Sequence, residues 1–165
     1  MTENKINMLT HKNFSHSTAE VGLSDDQLVT RLAIMRDLLS EVDEPTCASW
    51  VRGTTNATHQ TEIIRSVETL SVDLQVAYVD ITYAAMKAEV EGSPPVRRPP
   101  GSQATDAIGS VFSNVPHADH FLGILGNPMA NTDGDVCAAG ILLLALAAEA
   151  PPTERARVAL ALVQE

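Results

Sequence analysis

From residue 24 onward the apolar positions of this chain fall into helical register. Leu28, Leu32, Met35, Leu39 and Val42 recur at alternating spacings of four and three, the stripe of a helix laid lengthwise on a neighbour. Ser24, with Gln27 three residues on, has the form of a capping box. Asp25 and Asp26 stand where the helix dipole favours negative charge, and Pro45 ends the run. A second stripe follows: Ile63, Val67, Leu70, Leu74, Ala77, Ile81, Ala84 and Ala88. It meets no Gly or Pro until Gly92, a natural C-terminal cap. The spacing predicts one helix over residues 59–91, on the order of 48 Å long. Two such helices make an antiparallel hairpin over residues 23–91, with 45–58 as a loop or short helical turn around Trp50.

One stretch reads two ways. In SVDLQVAYVDITY (71–83), Val72, Leu74, Val76 and Tyr78 alternate with polar residues, as in a strand. Strands at 71–83 and 136–146 would make the fold α+β. The alternation breaks at Val79 while the helical stripe runs on, so an all-α fold is the preferred expectation.

Beyond the hairpin, EVEGSPPVRRPPGSQ (89–103) carries four prolines between residues 94 and 100, which no helix interior or central strand accommodates. Residues 92–103 are therefore read as an extended connector. Its Arg97 and Arg98 are either a recognition element for a partner's groove or a spacer's charges lying on the chain's own acidic surface. Shorter helical patterns follow over 104–165, with Ile108, Val111 and Phe112 as core, Pro116 opening one helix, Asp133 capping the next and Thr153 capping the last. Residues 1–22 are polar and aperiodic, and read as a flexible arm.

Composition sharpens this. The 165 residues are 44% apolar, with three Phe, two Tyr and one Trp, a make-up suited to close-packed helices. The 21 acids against 11 bases give a net charge of −10. The sole basic cluster is Arg97-Arg98, so direct nucleic-acid binding is excluded as an expectation. The apolar run VCAAGILLLALAA (136–148) is too short to span a bilayer, and the N-terminus lacks the apolar core of a secretion signal. Two cysteines, Cys47 and Cys137, are too few for a disulfide framework and point to a reducing, cytoplasmic setting.

Candidate chemistry is sparse. His117 and His120, three apart, resemble half of a metal site, but no further ligand stands near them in sequence. Asn131, Asp133 and Asp135 match the opening of a calcium loop, which then fails at Val136 and Leu142. Glu41, Glu44, Glu68, Asp73 and Asp80 could form acid pairs on neighbouring helices for a magnesium-dependent hydrolase. No nucleotide fingerprint or nucleophile motif is present, and no cofactor or metal is expected. Trp50, at a helix bend, is either a buried plug or an anchor for a partner. The expectation is a non-catalytic, acidic protein-binding factor of the adaptor, inhibitor, chaperone or immunity type, with Trp50, Arg97 and Arg98 as partner contacts. The alanines at 77, 84 and 88 would let a second copy approach closely, giving a homodimer.

Overall fold

The computed structural model describes residues 23–92 and 101–162. The expected arm 1–22 and most of the connector, with Arg97 and Arg98, lie outside the described residues. The fold is all-α. Among the described residues eight α-helices follow in order: α1 Asp25–Glu41, α2 Glu44–Val51, α3 Ala57–Ser66, α4 Val72–Val90, α5 Gly101–Phe112, α6 Ala118–Gly126, α7 Asp133–Glu149 and α8 Pro152–Ala161. Among the described residues there is no strand; 72–83 and 136–146 are helical, with Ser71 as a cap, which removes the α+β alternative.

The start of α1 matches its sequence signal. Ser24 Oγ accepts from the Gln27 N–H at 3.3 Å, and Gln27 Oε1 accepts from the Ser24 N–H at 2.8 Å. Pro45 does more than end α1, because it sits in the first turn of α2, where a missing N–H costs nothing. Asp43 caps α2 by accepting the Thr46 N–H at 2.8 Å, and the loop or short helical turn expected around Trp50 is a helix of eight residues. Glu62 on α3 ties this turn down, accepting from Asp43 N at 3.0 Å and Thr46 Oγ1 at 2.7 Å.

The single helix expected over 59–91 is broken. A 3-10 turn at Val67–Thr69 separates α3 from α4. Here the side chains of Ser and Thr compete with the helical ladder. Ser66 Oγ donates to the Ile63 carbonyl and Thr69 Oγ1 to the Ser66 carbonyl, each at 2.7 Å, and Ser71 caps the new helix at Leu74 N. Gln75 splints the break, its Nε2 donating to the Leu70 carbonyl at 2.9 Å.

The C-terminal helices are not a separate group. α7 packs on α1 and α2, α8 on α1 and α5, and α6 on α7, with α1 also touching α3 and α4. Phe112, Leu38, Leu39, Leu144, Val136 and Val158 are fully buried in this common core. Three starts differ from the sequence reading. α6 begins at Ala118, two residues past Pro116, after His117 with φ of 60°. Thr132 rather than Asp133 caps α7, and α8 starts at Pro152 with no side-chain cap from Thr153.

A disulfide joins Cys47 on α2 to Cys137 on α7, with Cα atoms 5.3 Å apart. The two cysteines are therefore not free thiols, and such a bond persists in oxidising surroundings rather than in the reducing setting expected. Arg52 reinforces the same junction. It pairs with Asp133 and donates to the carbonyls of Asn131 at 2.8 Å and Pro128 at 3.1 Å.

Gly140 marks where α2 and α7 approach most tightly. A Cβ added there would clash with Val51 Cγ2. Valine is stiff at χ1 and cannot swing clear. Gly140→Ala should therefore lose about 1–3 kcal/mol to overpacking, offset by the roughly 1 kcal/mol that alanine gains over glycine in a helix. In a Val51→Ala background the same change should be neutral or stabilising. Urea unfolding midpoints of the four proteins of this cycle would measure it, and equal effects in both backgrounds would refute the contact.

Candidate functional site

Two features of the described residues stand apart from ordinary packing. The first is the outer face of α4. This helix has two apolar stripes. One, with Ile81, Ala85 and Ala88 buried and Leu74 and Ala77 half-buried, faces the core and follows the periodicity read from the sequence. The other comprises Val72, Val76, Val79, Tyr83, Met86 and Val90, exposed to between 52% and 88%. Their spacings are four, three, four, three and four, the seam of a coiled coil. A helix apolar on two faces is expected to bury both, yet among the described residues α4 packs substantially only on α1. The seam runs roughly 27 Å along the helix. Asp73, Asp80 and Lys87 border one edge of it, and Gln75, Thr82 and Glu89 the other.

The second feature is a cavity of about 40 Å³ between α1, the end of α2, α3 and α4. Its apolar wall includes Ile34, Leu38, Ile63 and Ile81, and its polar groups are Arg31, Thr55, Gln60, Tyr78 and Thr82, with Trp50 alongside. Arg31 is 7% exposed. No ion pair or hydrogen bond holds it among the described residues, and burial alone lowers its guanidinium to about 10, which leaves it charged at neutral pH. Thr55 Oγ1 and Gln60 Nε2 are buried without hydrogen-bond partners. Tyr78 is pushed up to about 12 by burial, partly offset by the Thr82 hydroxyl, so it stays a neutral phenol.

Trp50, 8% exposed, lines this cavity rather than standing out from the bend. The acidic residues Glu41, Glu44, Glu68, Asp73 and Asp80 are all exposed, and no group of three His, Cys, Asp or Glu able to hold a metal ion forms among the described residues. His117 precedes α6 in a left-handed conformation, so it does not share a helical face with His120, and both are exposed. Asp133 is engaged by Arg52, and Asp135 accepts from Thr132 Oγ1 at 2.7 Å, which accounts for the calcium-like stretch as turn and cap. No helix among the described residues is long and apolar enough to cross a membrane.

Sequence reasoning missed Arg31 because an arginine between seam positions reads as surface. Its spacing of three, four and seven residues from Ile34, Met35 and Leu38 was the available signal. Comparison with protein-family models, curated proteins and solved structures gives no match.

Proposed function

We propose that this protein acts by stoichiometric association, as a non-catalytic binding factor, and that the outer face of α4 is its association surface. The observation that carries this reading is the exposed heptad seam of six large apolar side chains. Isolated exposed apolar residues need no explanation, but a contiguous stripe of this kind does.

The occupant favoured here is a second copy of the chain, antiparallel. About an axis at Ile81 the seam is self-complementary: Val72 meets Val90, Val76 meets Met86, and Val79 meets Tyr83 of the second copy. Each seam layer then joins residues of different heptad position, as antiparallel coiled coils require. On the flanking edge, Asp73 approaches Lys87 of the second copy, twice by symmetry. The two Asp80 carboxylates oppose each other near the axis and weaken the pair.

Sedimentation equilibrium of the full chain between roughly 1 µM and 1 mM, covering association free energies of about 8 down to 4 kcal/mol, tests this. A monomer–dimer equilibrium is expected, and Asp80→Asn should tighten it. Tightening singles out the antiparallel arrangement, because a parallel pair would set Asp80 against the neutral Gln75. A monomer at every concentration would defeat the proposal.

A further inference from the structure

The Arg31 cavity plays no part in that association surface, and its chemistry points elsewhere. We propose that it is a binding site for a small monovalent anion, of halide or formate size, with Arg31 as its counter-charge and Gln60 and Thr55 as further donors.

Three observations lead there. The first is charge. No Asp or Glu among the described residues lines the cavity, although the chain has 21 of them and a net charge of −10. A guanidinium placed beyond reach of so many carboxylates keeps its five donors available, and a buried charge is retained when something compensates it.

The second is the donor set. Gln60 Nε2 and Thr55 Oγ1 line the same cavity, in residues 8% and 3% exposed, and neither has a partner. Buried polar atoms are almost always satisfied, so two unsatisfied ones beside an unpaired arginine mark a place where an acceptor belongs. A water could satisfy the amide and the hydroxyl but would leave the arginine's charge uncompensated.

The third is size. At about 40 Å³ the pocket is far below the roughly 150 Å³ of a cavity that admits benzene, and its mouth is partly open. That favours a small ion over nucleotides, sugars and aromatic acids. One guanidinium balances one negative charge, and its planar fork suits a carboxylate as well as a halide. The apolar residues in the wall lower the local dielectric, which strengthens polar contacts inside the site.

The chain's one tryptophan, Trp50, lines the cavity and reports directly on occupancy. Full-length protein would be titrated with sodium chloride, bromide, formate, acetate or sulfate. Sodium gluconate, far larger than a halide or formate, would keep ionic strength constant. The expected result is a saturable change in tryptophan emission with the small monovalent anions. A melting temperature roughly 5–10 °C higher at a hundred times the half-saturating concentration should accompany it. A stronger response to bromide and chloride assigns a halide site, and a stronger one to formate and acetate assigns a carboxylate site.

In Arg31→Met the saturable response should vanish while helicity is kept, and Gln60→Leu should raise the half-saturating concentration about tenfold, as loss of one strong donor implies. If Arg31→Met fails to fold, the wild-type contrast with gluconate and the Gln60→Leu shift still decide the matter. Linear, unsaturated quenching that is equal in the wild type and Gln60→Leu, with a melting temperature indifferent to the anion, would overturn the proposal. So would a response to sulfate alone.

Discussion

Reduction of the Cys47–Cys137 bond should lower the free energy of unfolding by about 2–5 kcal/mol, the usual range for removing a native disulfide. The value should fall near the top of that range, because the bond closes a loop with a sequence separation of 90 residues. In the chain-entropy account, long loops are the ones whose closure most restricts the unfolded ensemble. For a chain of this length, each kcal/mol shifts the melting temperature by about 2–4 °C, so a fall of roughly 5–20 °C is expected with reductant.

The reduced protein should still fold. Cys47 and Cys137 sit within an α2–α7 junction that also holds Ala48, Val136 and Ala139, all fully buried, together with the Arg52 clamp. Thermal melts of the wild type with and without reductant, beside a Cys47→Ala/Cys137→Ala variant, make the measurement. The double variant should melt near the reduced wild type and ignore the reductant. A wild type equally stable in both conditions would show that the bond contributes nothing to stability.

The second large effect belongs to α4. Val79→Glu should raise the dimer dissociation constant at least about a hundredfold, equivalent to roughly 3 kcal/mol. The substitution sets a carboxylate into each copy's seam, where desolvation costs several kcal/mol per ion unless a partner compensates it. Lys87 lies too far along the edge to do so. In the single chain Val79 is 61% exposed, so the fold should lose almost nothing, and glutamate is if anything the better helix former. Unchanged far-UV circular dichroism with loss of the dimer is the expected pair of results. An unaltered association constant would remove Val79, and with it the centre of the proposed seam, from the interface.

Much of the fold was legible in the sequence for physical reasons that particular residues make plain. The α1 boundary was visible because Ser24 and Gln27 satisfy each other's backbone groups locally, without help from tertiary structure. The core-facing stripe of α4 was visible because burial on α1 imposes helical spacing. The break before α4 was hidden, since the apolar rhythm runs through Val67 and Leu70 while the interruption comes from the hydroxyls of Ser66 and Thr69.

The second stripe of α4 was hidden by the first. Val72 and Val76 enter the sequence pattern only as part of a strand-like alternation, and a single core-facing stripe is enough to account for a helix. Arg31 and the disulfide share a different obstacle. A lone arginine and two cysteines 90 residues apart acquire meaning only when α1, α2, α3, α4 and α7 are brought together, which no local spacing encodes.

The disulfide also changes what the proline-rich stretch can do. Residues 92–103 lie between Cys47 and Cys137, so they belong to a covalently closed ring rather than to an open tether. A protease that cuts anywhere in that ring opens it without releasing either part. The two pieces remain one molecule, held at the high effective concentration of an intramolecular encounter. With the bond reduced as well, only noncovalent contacts such as the packing of α7 on α1 and α2, and of α8 on α1, hold them together. Scission of the Arg97-Arg98 stretch is thus better tolerated in an oxidising environment than in a reducing one.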